Sequence, residues 1–188
     1  MHDDRGLAQM VVDDDDRIDA LYLDVHRGLL ALLAQQSPVA THLRVIAALL
    51  DVMHHVERMG DQCVNIAKTL VLSGHQRAAD DAVLKLIGRM GAQAREEVAQ
   101  AKLAFESRDE ALAQDLVRQD QIINGLNREV FQMAVRLGED HECREWAMQV
   151  MLVARSIERI GDNAVDIGEQ VAFVVTGLFR EFRDASRP

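Results

Sequence analysis

One ten-residue segment of the 188-residue chain occurs twice, and this repeat limits the possible folds more than any other feature. Residues 57–66 read ERMGDQCVNI, and residues 158–167 read ERIGDNAVDI, 101 positions later. Six of the ten positions are identical. Upstream of the two copies, residues 15–25 align with residues 120–130 at an offset of 105. Two segments that recur together indicate two copies of one supersecondary unit.

The spacing of apolar residues predicts helices through almost the whole chain. Apolar side chains recur three or four positions apart, as in Ile18, Leu21 and Val25, which is the period of an amphipathic helix. The chain has two prolines and 4% aromatic residues, a composition that disfavours strands. We therefore predict an all-α protein. Its five helices are expected at about residues 6–35, 38–73, 75–106, 108–137 and 140–177.

Particular residues indicate where these helices begin and end. Ser37 is an N-cap type, and Pro38 after it suits the first helical turn. Ser107 with Glu110 matches the capping-box pattern. Helix stops are expected at two glycines, Gly74 and Gly138.

The two units are not equally complete. We divide the chain into residues 1–73, a truncated unit, and residues 74–188, in which the predicted helix 75–106 precedes the hairpin. About a dozen residues precede Asp15, so we expect two helical bundles in tandem, of which the first lacks its leading helix. Either a neighbouring subunit covers the open face or the natural start lies upstream. We favour the second explanation, because two helices alone bury too little apolar surface.

Each unit carries two pairs of polar residues four positions apart, so the members of a pair share one face of a helix. The pairs are Asp15 with Asp19 and Glu57 with Asp61 in the first unit, and Asp120 with Asn124 and Glu158 with Asp162 in the second. In each hairpin the two pairs are equidistant from the predicted turn, near residue 38 or residue 141. Antiparallel helices should therefore bring the pairs level with each other.

Such closely spaced acids require a positive charge or a proton. Two like charges about 4 Å apart repel by roughly 4 kcal/mol at an effective dielectric near 20. Carboxylate oxygens suit Mg, Mn, Ca or Fe, and we interpret all eight residues as candidate metal ligands, with Asn124 the weakest because an amide lacks charge. The alternative is that the acids are solvated and pair with Arg58 and Arg159.

Two glycines lie within the predicted helices beside these acids. Gly60 and Gly161 each cost about 1 kcal/mol relative to alanine in a helix, so something should compensate. One interpretation is a close helix approach beside the acidic site. The other is tight packing without a ligand.

The charge of the chain argues against nucleic acid as a partner. The formal net charge is −10, from 31 acidic and 21 basic residues, so no broad positive field attracts nucleic acid or anionic lipid. No apolar run reaches the roughly 18 residues of a membrane span, and the first residues do not resemble a signal peptide. We expect a cytoplasmic protein that does not insert into a membrane.

The chain resembles the PhoU family of phosphate-uptake regulators. The segments that carry the likeness are residues 15–21, 30–38, 57–67 and 158–167. The resemblance implies two three-helix bundles whose E/D-xxx-D motifs bind multinuclear iron, or other metals such as zinc. It implies one site of Asp15, Asp19, Glu57 and Asp61 and a second of Asp120, Glu158 and Asp162, with Asn124 replacing an acid.

The same resemblance implies a function. A PhoU-like protein would act with the phosphate ABC transporter and a membrane sensor histidine kinase, as a negative regulator of uptake and of phosphate-starvation gene expression. We expect a metal-binding homodimer rather than an enzyme, with iron as the first choice and zinc, manganese or magnesium as alternatives.

Two other functions compete with this one. A ferritin-like di-iron oxidase normally carries Glu-x-x-His pairs, whereas Gly60 and Gly161 stand three residues after Glu57 and Glu158. A metal-free helical scaffold is the third hypothesis.

Overall fold

Five α-helices account for nearly all of the residues that the computed structural model describes, which are 5–35, 39–72 and 80–182. The helices are α1 Arg5–Gln35, α2 Ala40–Leu72, α3 Asp81–Ser107, α4 Glu110–Leu137 and α5 Arg144–Thr176. No strand occurs within those ranges. The all-α class and the five helices are therefore confirmed. Helix α5 begins later than predicted because residues 138–143 form turns, and the predicted signals at Ser37, Pro38 and Gly74 lie outside the described residues.

The predicted capping box between α3 and α4 is wrong. Ser107 is the last residue of α3, and its hydroxyl donates to the Leu103 carbonyl. The chain then turns through Arg108, at φ 56°, which leaves Asp109 as the extended residue before α4. The Asp109 carboxylate accepts from the first free backbone N–H groups of α4, at 2.9 and 3.1 Å, and is the true N-cap. Gly138 follows α4 as predicted.

Helices α3, α4 and α5 form a three-helix bundle in which each helix contacts the other two. The buried residues of α3 follow a spacing of three and four, which places one face of the helix against its neighbours. They are Val83, Leu86, Met90, Ala94, Glu97, Ala101 and Ala104. This series is apolar except at Glu97, so the bundle core contains one buried acid.

Helices α1 and α2 form a hairpin that has no third helix. Among the described elements α1 contacts α2 alone, and its one buried residue is Ala8. Leu21 and Val25 are exposed, although their repeat counterparts Leu126 and Val130 are buried. The expected lack of a leading helix in the first unit therefore leaves an open apolar face on α1 and α2.

The two units meet where α2 packs against α5. His55 on α2 places Nδ1 2.9 Å from Asn163 Oδ1 and 3.4 Å from Asp166 Oδ2, both on α5. Met59, which is buried, belongs to the same apolar cluster as Ala164 of α5. This junction sets the position of the hairpin relative to the complete bundle.

Candidate metal centres

In the first unit, Asp15 lies directly over the backbone of α2. A methyl group placed on Gly60 would be 3.0 Å from Asp15 Oδ1 and 3.2 Å from Ile18 Cδ1. Both distances are shorter than ordinary van der Waals contacts to a carbon. Gly60 therefore allows α1 to bring an acidic side chain against α2, which accounts for a glycine within a helix.

Two carboxyl groups of the first unit, those of Asp15 and Glu57, have raised pKa values. Burial raises the pKa of Asp15, and the nearby charges of Asp19 and Asp61 raise it further. Burial also raises the pKa of Glu57, with further contributions from Asp61 and Asp19. Each acid therefore lies close enough to its partner on the other helix to resist ionisation.

The second unit repeats this arrangement and adds a third helix. A methyl group on Gly161 would be 2.8 Å from Asp120 Oδ1, 2.9 Å from Glu97 Oε2 and 3.0 Å from Ile123 Cδ1. Asp120 and Ile123 are the repeat counterparts of Asp15 and Ile18. Glu97 comes from α3, which has no equivalent among the described helices of the first unit.

Glu97 is the most unusual acid of the structure, and the sequence did not indicate it. Its side chain is fully buried. Gln93 Nε2 donates to Glu97 Oε1 at 3.2 Å, whereas Glu97 Oε2 has no hydrogen-bond partner among the described residues. Burial raises the pKa of Glu97 to about 8, and the charges of Asp120 and Asp162 act in the same direction. At neutral pH this carboxyl group keeps its proton.

Asn124 and Glu158 are paired with neighbouring side chains. Asn124 Nδ2 donates to Asp120 Oδ2 at 2.6 Å, so the amide orients Asp120. Glu158 pairs with Arg155 one turn earlier on α5. The amide hydrogen bond leaves Asn124 Oδ1 available to a metal, whereas the arginine already balances the charge of Glu158.

Asp120 and Asp162 also line a surface cavity of about 280 Å³. Its other acidic residues are Asp166, Glu169 and Glu181. Burial raises the pKa of Glu169, and the charges of Asp166 and Glu181 add to this effect. The cavity connects the acids of the second unit with solvent.

The residues suit a hard cation by their chemistry, although the site is not assembled. In the described part of the chain, no group of three or more His, Cys, Asp or Glu side chains is arranged to hold a metal ion. Glu97 Oε2, however, is a buried oxygen without a donor, beside two other carboxyl groups. A cation could take the place of the Glu97 proton once the side chains rotate towards it.

The fold and the two acid clusters define a tandem helical-bundle protein with acidic side chains against a glycine in each unit. The family model that describes the PhoU domain matches residues 1–70 and 87–171. The chain belongs to the PhoU family.

Individual relatives agree with this assignment. The phosphate-specific transport system accessory protein PhoU homolog of Zymomonas mobilis is 29% identical, over 94% of this chain and 74% of the relative. PhoU homolog 1 of Thermotoga maritima is 30% identical over 91% of this chain and 74% of the relative. The crystal structure of PhoU from Pseudomonas aeruginosa has a TM-score of 0.87 at 27% identity and covers 94% of this chain and 84% of that one.

None of the helices in the described ranges combines the length and the apolar character needed to cross a bilayer.

Proposed function

We propose that this chain is a regulatory accessory protein of phosphate uptake. It restrains the phosphate ABC transporter and the signalling of a membrane sensor histidine kinase from the cytoplasmic side, as a homodimer and without catalysing a reaction. The similar proteins named as phosphate-specific transport system accessory proteins support this role. So does a fold made of packed helices, which offers long surfaces to partners.

The observation that carries the metal-binding part of the proposal is the buried carboxyl group of Glu97. Its Oε2 lies beside Asp120 at Gly161, and Asp162 is close enough to oppose its ionisation. We assign Glu97, Asp120 and Asp162 as the central ligands of the second unit. Asn124 and Glu158 are the outer candidates, because the amide of Asn124 carries no charge and Glu158 is already paired with Arg155.

In the first unit the candidate ligands are those that the sequence indicated, Asp15, Asp19, Glu57 and Asp61. These four residues offer only carboxylate oxygens. Such oxygen donors suit hard cations, and the family resemblance makes iron the first choice, with manganese, magnesium or zinc as alternatives. A bound ion would neutralise the mutual repulsion of the acids and thereby stiffen each unit. The chain's own residues bind and orient the ion, and no reaction is assigned to it.

The di-iron oxidase alternative lacks support at the ligand helices. Its usual histidine positions are Gly60 and Gly161, where a side chain would collide with Asp15 or Asp120. Iron oxidation by the purified protein in the presence of peroxide would favour that alternative.

Elemental analysis tests the metal centres. Wild type is compared with Asp61→Ala, Asp162→Ala and Glu97→Gln, and Asp51→Ala serves as a control because Asp51 is an exposed acid outside both clusters. We expect each site variant to lose the metal of its own unit and the control to keep it. Full metal content in all three site variants would refute the assignment.

A cellular assay tests the regulatory role. A bacterial host that lacks its own PhoU-family gene receives the wild-type chain, and phosphate uptake and a phosphate-starvation reporter are measured. We expect the chain to lower both signals in phosphate-rich medium. No change in either signal would contradict the proposed function.

A further inference from the structure

A chain of side-chain amides runs between α3 and α4 and ends on Glu97. Gln93 Nε2 donates to Glu97 Oε1 at 3.2 Å and to Gln119 Oε1 at 3.3 Å. Gln119 Nε2 in turn donates to Asp115 Oδ2 at 3.0 Å. Two glutamines, one from each helix, therefore connect a buried carboxyl group with a partly exposed acid on α4.

Gln100 of α3 strengthens the outer end of this chain. Its Nε2 donates to Asp115 Oδ2 at 3.2 Å and to the Leu112 carbonyl at 2.9 Å. Its Oε1 accepts from Gln119 Nε2 at 2.6 Å. The Gln119 amide is thus bound through both its oxygen and its nitrogen. It cannot exchange the positions of these two atoms without losing three hydrogen bonds.

Asp115 sets the direction of the hydrogen bonds in the chain. An ionised carboxylate only accepts, so Gln119 must turn its nitrogen to Asp115 and its oxygen to Gln93. Gln93 must then offer its nitrogen, which makes Glu97 Oε1 an acceptor. The Arg118 guanidinium donates to both oxygens of Asp115, at 2.8 and 3.3 Å. This hydrogen bonding, together with that of the glutamines, holds the pKa of Asp115 well below its usual range, so Asp115 remains an acceptor.

The two oxygens of Glu97 consequently face different surroundings. Oε1 is bound by Gln93, whereas Oε2 has no hydrogen-bond partner among the described residues. Oε2 lies instead at Gly161, where Asp120 Oδ1 also approaches the backbone of α5. The Glu97 side chain is fully buried, so bulk water does not reorient it. The amide chain therefore determines which oxygen faces the other acids of the second unit.

We propose that Asp115 and Gln93 are positioning residues for Glu97. The partly exposed carboxylate orders the amides, and the amides hold Glu97 Oε2 towards Asp120, at the candidate metal centre of the second unit. The consequence for a bound cation rests on the proposed function, whereas the orientation of Glu97 can be tested without metal.

The first experiment measures coupling in the metal-free chain. Urea unfolding in a chelating buffer compares wild type, Asp115→Asn, Glu97→Met and the double variant. Asparagine can donate as well as accept, so it no longer fixes the direction of the amides, and methionine removes the acceptor at their other end. Because both residues belong to one hydrogen-bond chain, the double variant should change the unfolding equilibrium constant by about threefold less than the product of the single effects, or by still less.

Two further variants show whether the coupling runs through the amides. Glu106→Gln is the matched control for Asp115→Asn, because Glu106 forms an exposed ion pair with Lys102 on α3, outside the amide chain. Its effect and that of Glu97→Met should simply multiply. In a Gln93→Leu background the coupling between Asp115 and Glu97 should disappear, because the connection between them is broken.

The second experiment uses Mn²⁺ alone as the probe and follows its electron paramagnetic resonance signal. All chains carry Asp61→Ala, so that the first unit does not contribute. Asp115→Asn and Gln93→Leu should each weaken Mn²⁺ binding about tenfold, as the loss of an outer partner of a ligand does. The two changes together should weaken it no more than either alone, because both act through Glu97. Glu106→Gln should leave the affinity unchanged.

The outcomes separate this proposal from the metal centre itself. Effects of Asp115→Asn and Glu97→Met that simply multiply in the metal-free chain would overturn the proposal, whatever the result with Mn²⁺. An Mn²⁺ affinity that Asp115→Asn leaves unchanged, or that Glu106→Gln lowers equally, would overturn it too. Coupling in the metal-free chain without Mn²⁺ binding by any of the chains would support the positioning of Glu97 and refute the proposed metal centre instead.

Discussion

Glu97 on α3 and Asp120 on α4 direct carboxyl oxygens at the same point on α5, the bare backbone of Gly161. A methyl group there would lie 2.9 Å from Glu97 Oε2 and 2.8 Å from Asp120 Oδ1. Three helices thus meet at one glycine, and the acid from α3 is the fully buried one. This meeting point determines how the bundle responds to pH and to substitution.

Glu97→Gln should remove a pH dependence of stability. The carboxyl group ionises near pH 4.5 when unconstrained and near pH 8 in the folded protein. Between these values the unfolded chain releases a proton that the folded chain keeps, so the wild type loses stability as pH rises through this window. The variant has no such loss and should be more stable than wild type by about a few kcal/mol at pH 8.

Urea unfolding of both proteins at pH 5 and pH 8, with chelator present, measures this difference. The two proteins should have similar stabilities at pH 5, because a protonated carboxyl group and an amide have similar shapes. A constant difference between them at both pH values would contradict the assigned ionisation of Glu97.

Gly161→Ala should destabilise the protein although alanine favours helices. The added methyl group would overlap Asp120, Glu97 and Ile123 in a packed interior, which typically costs about 1 to 3 kcal/mol. Gly91→Ala is the matched control, since nothing lies within 4 Å of the added methyl group, and it should stabilise by about 0.5 to 1 kcal/mol. Thermal unfolding distinguishes the two variants. If Gly161→Ala were more stable than wild type, the carboxyl groups of Glu97 and Asp120 would be able to move away from position 161 with little loss of stability.

His55→Ala should weaken the junction between the two units. The buried Asn163 Oδ1 would lose its contact with His55 Nδ1, and an unsatisfied buried acceptor costs about 1 to 3 kcal/mol. The neighbouring variant His54→Ala should change stability by less than about 0.5 kcal/mol, because His54 is half exposed and its partner Glu57 is 3.9 Å away. Chemical unfolding compares them, and equal losses would argue against a special role of His55.

Asp109→Ala should destabilise α4 by about 1 kcal/mol, since its carboxylate caps two backbone N–H groups. Ser107→Ala should have little effect, because the Ser107 hydroxyl bonds within α3. Helicity measured by circular dichroism during thermal unfolding reports both changes. If Ser107→Ala lost more stability than Asp109→Ala, the result would support the capping box at Ser107 that the sequence suggested.

The repeat made much of the fold predictable. The equal distances of the acidic pairs from the predicted turn placed Asp15 against Asp61 and Asp19 against Glu57. In the structure the charge of Asp61 helps to raise the pKa of Asp15, and that of Asp19 helps to raise the pKa of Glu57. Apolar spacing located the helices, because that spacing is a local property of the chain. Whether the acids bind metal stays a prediction.

The repeat could not indicate Glu97, since no described helix of the first unit corresponds to α3. One signal was present: Glu97 occupies an apolar position of the spacing that runs from Val83 to Ala104. Asp109 was missed for a different reason. In sequence Ser107 fits the capping box better, because Glu110 follows it by three residues, whereas the left-handed turn at Arg108 makes Asp109 the cap.

The attachment of α1 to α2 alone sets an order of local opening for the molecule. Among the described helices, α1 contacts one neighbour and buries one residue. Its free energy of local unfolding should therefore be the lowest, and its amide protons should exchange first. Helix α5 packs against three others, and its amides should exchange last. Substitutions in α1 should therefore change the exchange of α1 itself and leave the slowest-exchanging amides of α5 unaffected.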